Sequence, residues 1–259
     1  MPLEASYPMN NSSTKNRIIS LGIVVLLILG WEAIAQSVGS KQIIPGPDDT
    51  IKAIFTIMGQ PGFLTALGST LFRGAIGFAF AFIGALLIGI PSGLNSGVEA
   101  AFKPILITIR STPVIAIILL ALIWFQSEQV PVFVGFLTMF PILTTNICQG
   151  IRETNTDLIQ MANLYHIRKK RILTDIYWPS ILPFIFSGVS TAIGFGWRSV
   201  IIGEVLSQPR YGIGSMMQDA QTYLLVSEVI AWTVIAILIS AVFEWIVRLV
   251  QKGSFKWKS

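Results

Sequence analysis

The chain has 259 residues, of which 53% are hydrophobic and only 12% charged. An average soluble domain carries about 25% charged residues, so a soluble globule, a disordered chain and a secreted disulfide scaffold are excluded. The single cysteine, Cys148, has no intramolecular partner, and one histidine, His166, without a cysteine cluster builds no metal site. The net charge of +5 does not point to nucleic acid, because the basic residues stand at the ends of apolar segments.

A bilayer core of about 30 Å takes about 20 apolar residues as helix. The charge-free runs Gly74–Val98, Ser111–Ser127, Gln129–Ile151 and Ile176–Trp197, with two weaker stretches, predict six spans. They are placed at 17–37, 70–94, 107–126, 130–151, 179–205 and 226–250. A spanning segment in lipid must satisfy its own backbone hydrogen bonds, and these runs are too long for membrane strands. The expected fold is all-α: one transmembrane domain over 17–250, with a cytoplasmic loop at 152–178 and tails at 1–16 and 251–259.

The first span is longer than the 7–15 residue core of a cleavable signal, and no small-residue cleavage site clearly follows it. After it, Pro47-Asp48-Asp49 is expected to cap a helix lying on the membrane, with Ile51, Ile54, Phe55 and Met58 on one face. From the second span onward small residues recur every fourth position, at Gly77, Ala81, Ala85, Gly89, Gly93 and Gly97. Such a stripe lets helices approach closely in lipid, either within the chain or between subunits. Pro91 is expected to kink the inner end. Arg73 lies near the outer end of this span, where it either snorkels to the interface or ties helices together. Arg110 precedes Ser111-Thr112-Pro113 at the inner end of the third span, a place for an inner gate or a structural contact.

The loop at 152–178 is the most polar segment of the chain. Thr154-Asn155-Thr156-Asp157 is a helix-start signal, Leu158, Met161, Ala162 and Tyr165 form one apolar face, and Arg168-Lys169-Lys170-Arg171 follows. That face is expected to meet either a soluble partner, in the manner of a helix in a groove, or the bilayer surface. In the fifth span Arg198 and Glu204 are ionisable groups at membrane depth, which are functional candidates by default. Six residues apart they are about 120° around the helix, so each needs a partner of its own, whereas Trp197 and Glu204 share a face. Either Arg198 lies by a translocation path with Glu204 near its outer gate, or Arg198 and Glu204 tie helices together, or Glu204 stands at the outer interface. Beyond them Ser215 to Gln218 has capping-box spacing, and Glu244 and Arg248 form an i, i+4 pair.

Lysine and arginine set the orientation. With both termini in the cytoplasm, twelve fall on cytoplasmic segments (Lys15, Arg17, Lys103, Arg152, the run 168–171, Arg248, Lys252, Lys256 and Lys258). Three fall outside, at Lys41, Lys52 and Arg210.

The stretch Gln160-Met161-Ala162, three residues, His166, nine residues, Ile176-Tyr177-Trp178-Pro179 resembles the EAA loop of ABC importer permeases. That pattern is Glu-Ala-Ala, three residues, Gly, nine residues, Ile-x-Leu-Pro. Spacing matches throughout; residue types match at Ala162, Ile176 and Pro179 and depart at Gln160, Met161, His166 and Trp178. Further residues occur in the order seen in the nitrate, sulfonate and taurine subfamily of type I importers. They are Leu71-Phe72-Arg73 with Gly77-Phe78, Arg110-Ser111-Thr112-Pro113, Trp124-Phe125, Phe140-Pro141-Ile142, Gly150, Trp197, Glu204 and Gly212-Ile213-Gly214. Ile44-Pro45-Gly46-Pro47 resembles that subfamily's Leu-Pro-x-Pro.

The resemblance implies a permease of the bacterial inner membrane that pairs with a second permease copy and two cytoplasmic ATPases. An extracytoplasmic solute-binding protein delivers the cargo. The coupling helix would be Asp157 to Ile167, comprising Asp157, Gln160, Met161, Ala162, Asn163, Leu164, Tyr165, His166 and Ile167. Arg198, Glu204, Trp197, Arg110 and Arg73 are the pathway candidates. Gln160 in place of Glu leaves at best a neutral hydrogen bond of about 1 kcal/mol to the ATPase, and His166 stands where a glycine usually closes the helix. No Gly-Lys dipeptide occurs, so the chain has no P-loop. It is expected to be non-catalytic and without cofactor of its own, ATP and Mg residing in the partner ATPase. The rival class is an ion-coupled secondary transporter, which would favour paired midplane carboxylates and inverted repeats; neither is evident.

Overall fold

The computed structural model describes residues 12–40 and 42–254. Residues 1–11, Lys41 and the end of the basic tail with Lys256 and Lys258 lie outside them, as do the side chains of Lys15, Arg17 and Lys252. Every regular element among the described residues is helical: α1 Ser12–Val38, α2 Pro47–Met58, α3 Phe63–Leu94, α4 Ser96–Ser111, α5 Val114–Trp124 and α6 Val130–Arg152. There follow α7 Thr156–Leu164, α8 Lys169–Arg171, a π-helical turn Ile172–Tyr177, α9 Trp178–Ser207, α10 Ile213–Thr222 and α11 Val226–Ser254. Five stretches are long and apolar enough to cross a membrane. The chain is an all-α, multi-pass membrane protein.

The third of the expected spans, at 107–126, is not a straight helix. α4 and α5 are bent by 97° at the break between Ser111 and Val114. Pro113 lacks the N–H that would continue the ladder and forces Thr112 into extended backbone, φ −74° and ψ 127°. The helix also starts eleven residues before the expected 107. Asn95 caps it, its side chain accepting from the Gly97 N–H at 2.8 Å. Pro91, by contrast, does not end α3, which continues through it to Leu94.

α6 is the centre of the bundle, packed between α3 and α9. The stripe on α3 is intramolecular: Ala81 and Ala85 are fully buried, and Cβ atoms added at Gly77 and Gly89 would meet the Val132 and Thr144 carbonyl oxygens at 2.9 and 3.0 Å. Gly97, expected to extend the stripe, lies beyond the end of α3 and takes no part. α9 presents a matching row, Gly188, Ala192, Gly196 and Gly203, with Gly203 against the Pro131 Cα. With no hydrophobic drive in lipid, this backbone approach on both sides is what holds α6. Met139, Leu143, Ile147 and Ile151 fill the space between.

α1 stands apart. Over Ile19–Val38 nothing in its most apolar stretch is buried, and its tie to the rest is the Trp31 indole N–H donating to the Pro45 carbonyl at 3.0 Å. α2 forms where expected, but Gly46 is its N-cap, with no side-chain bond, and Pro47 is its first residue. Its buried face is Thr50 and Ile57, with Ala53 and Ile54 against α11. Ile51, Phe55 and Met58 of the expected face stay exposed.

Candidate translocation and coupling sites

At the α10 end of the bundle, Glu204 of α9 is fully buried and ties its helix to α3 and α10. Arg73 of α3 donates to it at 2.6 Å, the Thr70 hydroxyl at 2.9 Å and the Gly214 N–H at 3.0 Å. The Ile213 N–H donates in turn to the Thr70 hydroxyl at 2.8 Å. The first turn of α10 is therefore capped across the fold by Glu204 and Thr70, where a negative charge also complements the helix dipole. This displaces the expected capping box: Ser215 lies inside α10, buried, with its hydroxyl unpartnered.

Arg73 does not snorkel. It is buried, pairs with Glu204 and with Glu128 in the α5–α6 turn, and donates to the Tyr211 carbonyl at 2.7 Å. Glu128 also accepts the Arg210 N–H at 3.0 Å, and Ser207 donates to the Ser127 carbonyl at 3.0 Å. One arginine and two carboxylates thus join α3, the α5–α6 turn, the end of α9 and the start of α10. Beside them a cavity of about 770 Å³ opens between α3 and α6, walled by Phe72, Phe80, Phe133 and Phe136, with Arg73 and Glu128 at its polar edge. Glu128, Thr70 and Tyr211 were not singled out from the sequence. Glu128 is the lone charge between two charge-free runs, a signal for a boundary residue but not for the partner of an arginine 55 positions away.

Trp197 and Glu204 share the buried face of α9, as their seven-residue spacing requires. The Trp197 indole donates to the Ala236 carbonyl at 3.1 Å and meets Phe243 edge-on at 5.3 Å, so it packs against α11. Arg198 lies on the other face, exposed, with Ser190, Thr191 and Glu244 around one cavity of about 330 Å³. A neighbouring cavity of about 490 Å³ shares Thr191 with it and is lined by Thr138, Thr145, Asn146, Ser199 and Arg110. The Thr138 hydroxyl donates to Ser199 at 3.1 Å across α6 and α9. Arg198 and Arg110 therefore edge two adjoining cavities, Arg198 one between α9 and α11 and Arg110 one among α4, α5, α6 and α9, while Glu204 and Trp197 are buried in packing on the other face of α9.

The opposite end carries α7. The Asn155 side chain accepts from the Asp157 N–H at 2.8 Å and the Leu158 N–H at 3.4 Å, the cap expected from the sequence. His166 takes φ +49°, and the Ile167 N–H donates to the Ala162 carbonyl at 2.9 Å while the His166 N–H donates to Asn163 at 3.0 Å. This is the tight helix end that glycine usually supplies, made here with a residue for which left-handed backbone costs about 1 kcal/mol or more. α7 is not free of its own chain: Ala162 is buried, and the helix rests on the turn Ile172–Tyr177. The face of Leu158, Met161, Leu164 and Tyr165 remains open, with Leu164 76% and Tyr165 72% exposed. Gln160, Asn163 and His166 are exposed beside it.

A multi-pass helical bundle with a capped amphipathic helix on the loop between α6 and α9 and polar cavities among its helices is a membrane permease. Residues 81–256 match the family described as binding-protein-dependent transport system inner membrane component, and the chain belongs to that family of ABC importer permeases. It is 25% identical to the taurine transport system permease protein TauC of Escherichia coli, over 98% of this chain and 94% of that protein. It is 31% identical to the bicarbonate transport system permease protein CmpB of Synechococcus elongatus, over 71% and 68%. Against the putative aliphatic sulfonates transport permease protein SsuC of Bacillus subtilis identity is 24%, over 90% and 85%.

Proposed function

We propose that this chain is the membrane-spanning subunit of a bacterial inner-membrane importer for a small solute bearing an oxoanion group. Two copies form the path, two cytoplasmic ATPases bind and hydrolyse ATP with Mg, and an extracytoplasmic binding protein delivers the solute. The chain itself performs no catalysis and holds no cofactor. Both termini and α7 are cytoplasmic, as the twelve-to-three bias of basic residues requires.

The observation that carries this reading is α7. A nine-residue capped helix, rigidly ended at His166 and holding four large apolar residues in water, fits a hydrophobic groove on a soluble partner. Alternating access then needs only that the partner's ATP cycle bias two states of the bundle through this helix. Arg198 and Arg110 edge two adjoining cavities that a second copy would close into one path, and their charge suits the solute class. Taurine, aliphatic sulfonates and bicarbonate all carry an oxoanion group. Arg73, Glu204 and Trp197 serve the path indirectly, by holding the outer ends of its walls.

The test is capture of the cognate ATPase by the full-length permease, together with uptake in proteoliposomes. Met161→Ala with Tyr165→Ala is expected to reduce both at least tenfold while the protein stays monodisperse. Unchanged capture and unchanged uptake would overturn the reading.

A further inference from the structure

A groove of about 320 Å³ lies at the α7 end between α4 and α6, with α3 as its floor. Lys103 and Arg110 line it from α4, Arg152 and Gln149 from α6, and Ser92 from α3. Two carboxylates also face it, Glu99 and Glu153. Glu99 is already bound to Arg152. Lys103 and Arg110, seven residues apart on α4 and so about 10 Å apart along one face, make no ion pair or side-chain hydrogen bond among the described residues. Ser92 is 2% exposed and its hydroxyl has no partner. With almost no accessible surface, that oxygen belongs to the floor of the groove and not to its ligand-facing wall.

Two unpaired cations and the Gln149 amide face the hollow together with one carboxylate outside an ion pair, Glu153, so its lining carries a surplus of positive charge. At about 30 Å³ per water, the space admits a tetrahedral oxoanion with part of its hydration. Arg110 and Thr145 line both this groove and the cavity of about 490 Å³, so the two spaces meet at Arg110. The Thr144 and Thr145 hydroxyls donate to the Phe140 and Pro141 carbonyls at 2.7 Å, which leaves the charged groups to do the binding.

We infer that this groove is an oxoanion site on the far side of the path, where a sulfate-, sulfonate- or phosphate-type group is held by Lys103 and Arg110. Its role as the solute's last station before release rests on the importer reading; the site itself does not. The same chemistry fits the phosphate of an inner-leaflet lipid, and the test separates the two sources.

The full-length permease in maltoside micelles, which contain no phosphate, is dialysed against radiolabelled sulfate, and phosphatidylglycerol adducts are counted in parallel by native mass spectrometry. Saturable binding of one sulfate per chain is expected, weakened at least tenfold in Lys103→Gln with Arg110→Gln. It should be retained in Lys103→Arg with Arg110→Lys and in the surface control Lys52→Gln. Phosphatidylglycerol retained one per chain by the parent but not by the double Gln variant, with no sulfate bound, assigns the site to a lipid phosphate. Neither ligand bound, or both bound equally by parent and double Gln variant, overturns the inference. ATPase capture from the same preparation keeps the readings apart. Capture without anion binding sinks this site alone; anion binding without capture sinks the importer reading alone.

Discussion

The two ends of the bundle are built on opposite principles. At the α10 end, charge is buried and shared: Arg73, Glu204, Glu128 and Thr70 draw four elements into one cluster. At the α7 end, apolar surface is exposed, cations stand unpaired, and the one buried residue of α7 is Ala162. A buried ion cluster is stiff because losing any one member strands the others without water. An open apolar face and free cations cost little to hold and gain much on meeting a partner. The contrast assigns structural constraint to one end and recognition to the other, though both are rich in charged and polar residues.

The sharpest way to break this contrast is Glu204→Ala, which leaves Arg73 buried beside Glu128 alone and uncaps α10. It is expected to cost 3–5 kcal/mol, by analogy with the removal of one partner from a buried pair, read as a large loss of melting temperature in detergent. Glu204→Ala with Arg73→Met should lose less than the sum of the two single changes. If Glu204→Ala melts like the parent, the α10 end is not the constrained one.

At the other end, Tyr165→Ala is expected to weaken ATPase capture by about 2 kcal/mol, as an interface hot spot would, while the melting temperature stays within a degree or two of the parent. Reversal of those two readouts would exchange the roles of the ends. A smaller effect is expected from Asn155→Ala, which removes the cap of α7 and should lower helix stability by about 1 kcal/mol. Hydrogen exchange at the N–H groups of Asp157 and Leu158 would report it. His166→Gly should act in the opposite sense, relieving left-handed strain by up to about 1 kcal/mol and slowing exchange at Ile167. No change there would mean that the histidine side chain compensates for its backbone.

Much of this was legible without coordinates. Apolar runs of span length gave the helical class, and the small-residue stripe gave the α3 contact, because in lipid close approach needs absent side chains. Asn155 announced the α7 cap because a cap is local, one side chain bonding to N–H groups two and three residues on. The errors have a common cause. Thr112-Pro113 falls inside an apolar run, since hydropathy does not see a missing N–H. The capping-box spacing at Ser215 is a local motif, whereas the N–H groups that open α10 are capped by Thr70 and Glu204.

What the sequence determined by itself was therefore periodic or local: which segments are apolar enough for lipid, how the basic residues divide, and where α7 begins. The tertiary structure alone decided that Arg73 meets Glu204 and Glu128 across 131 and 55 positions, and that Arg198 faces away from both. It also decided that Lys103, Arg110 and Ser92 share one hollow. Those pairings depend on how α3, α4, α6 and α9 are rotated about their axes. That rotation is fixed by the sum of glycine and alanine contacts on both sides of α6, which no single window of sequence contains.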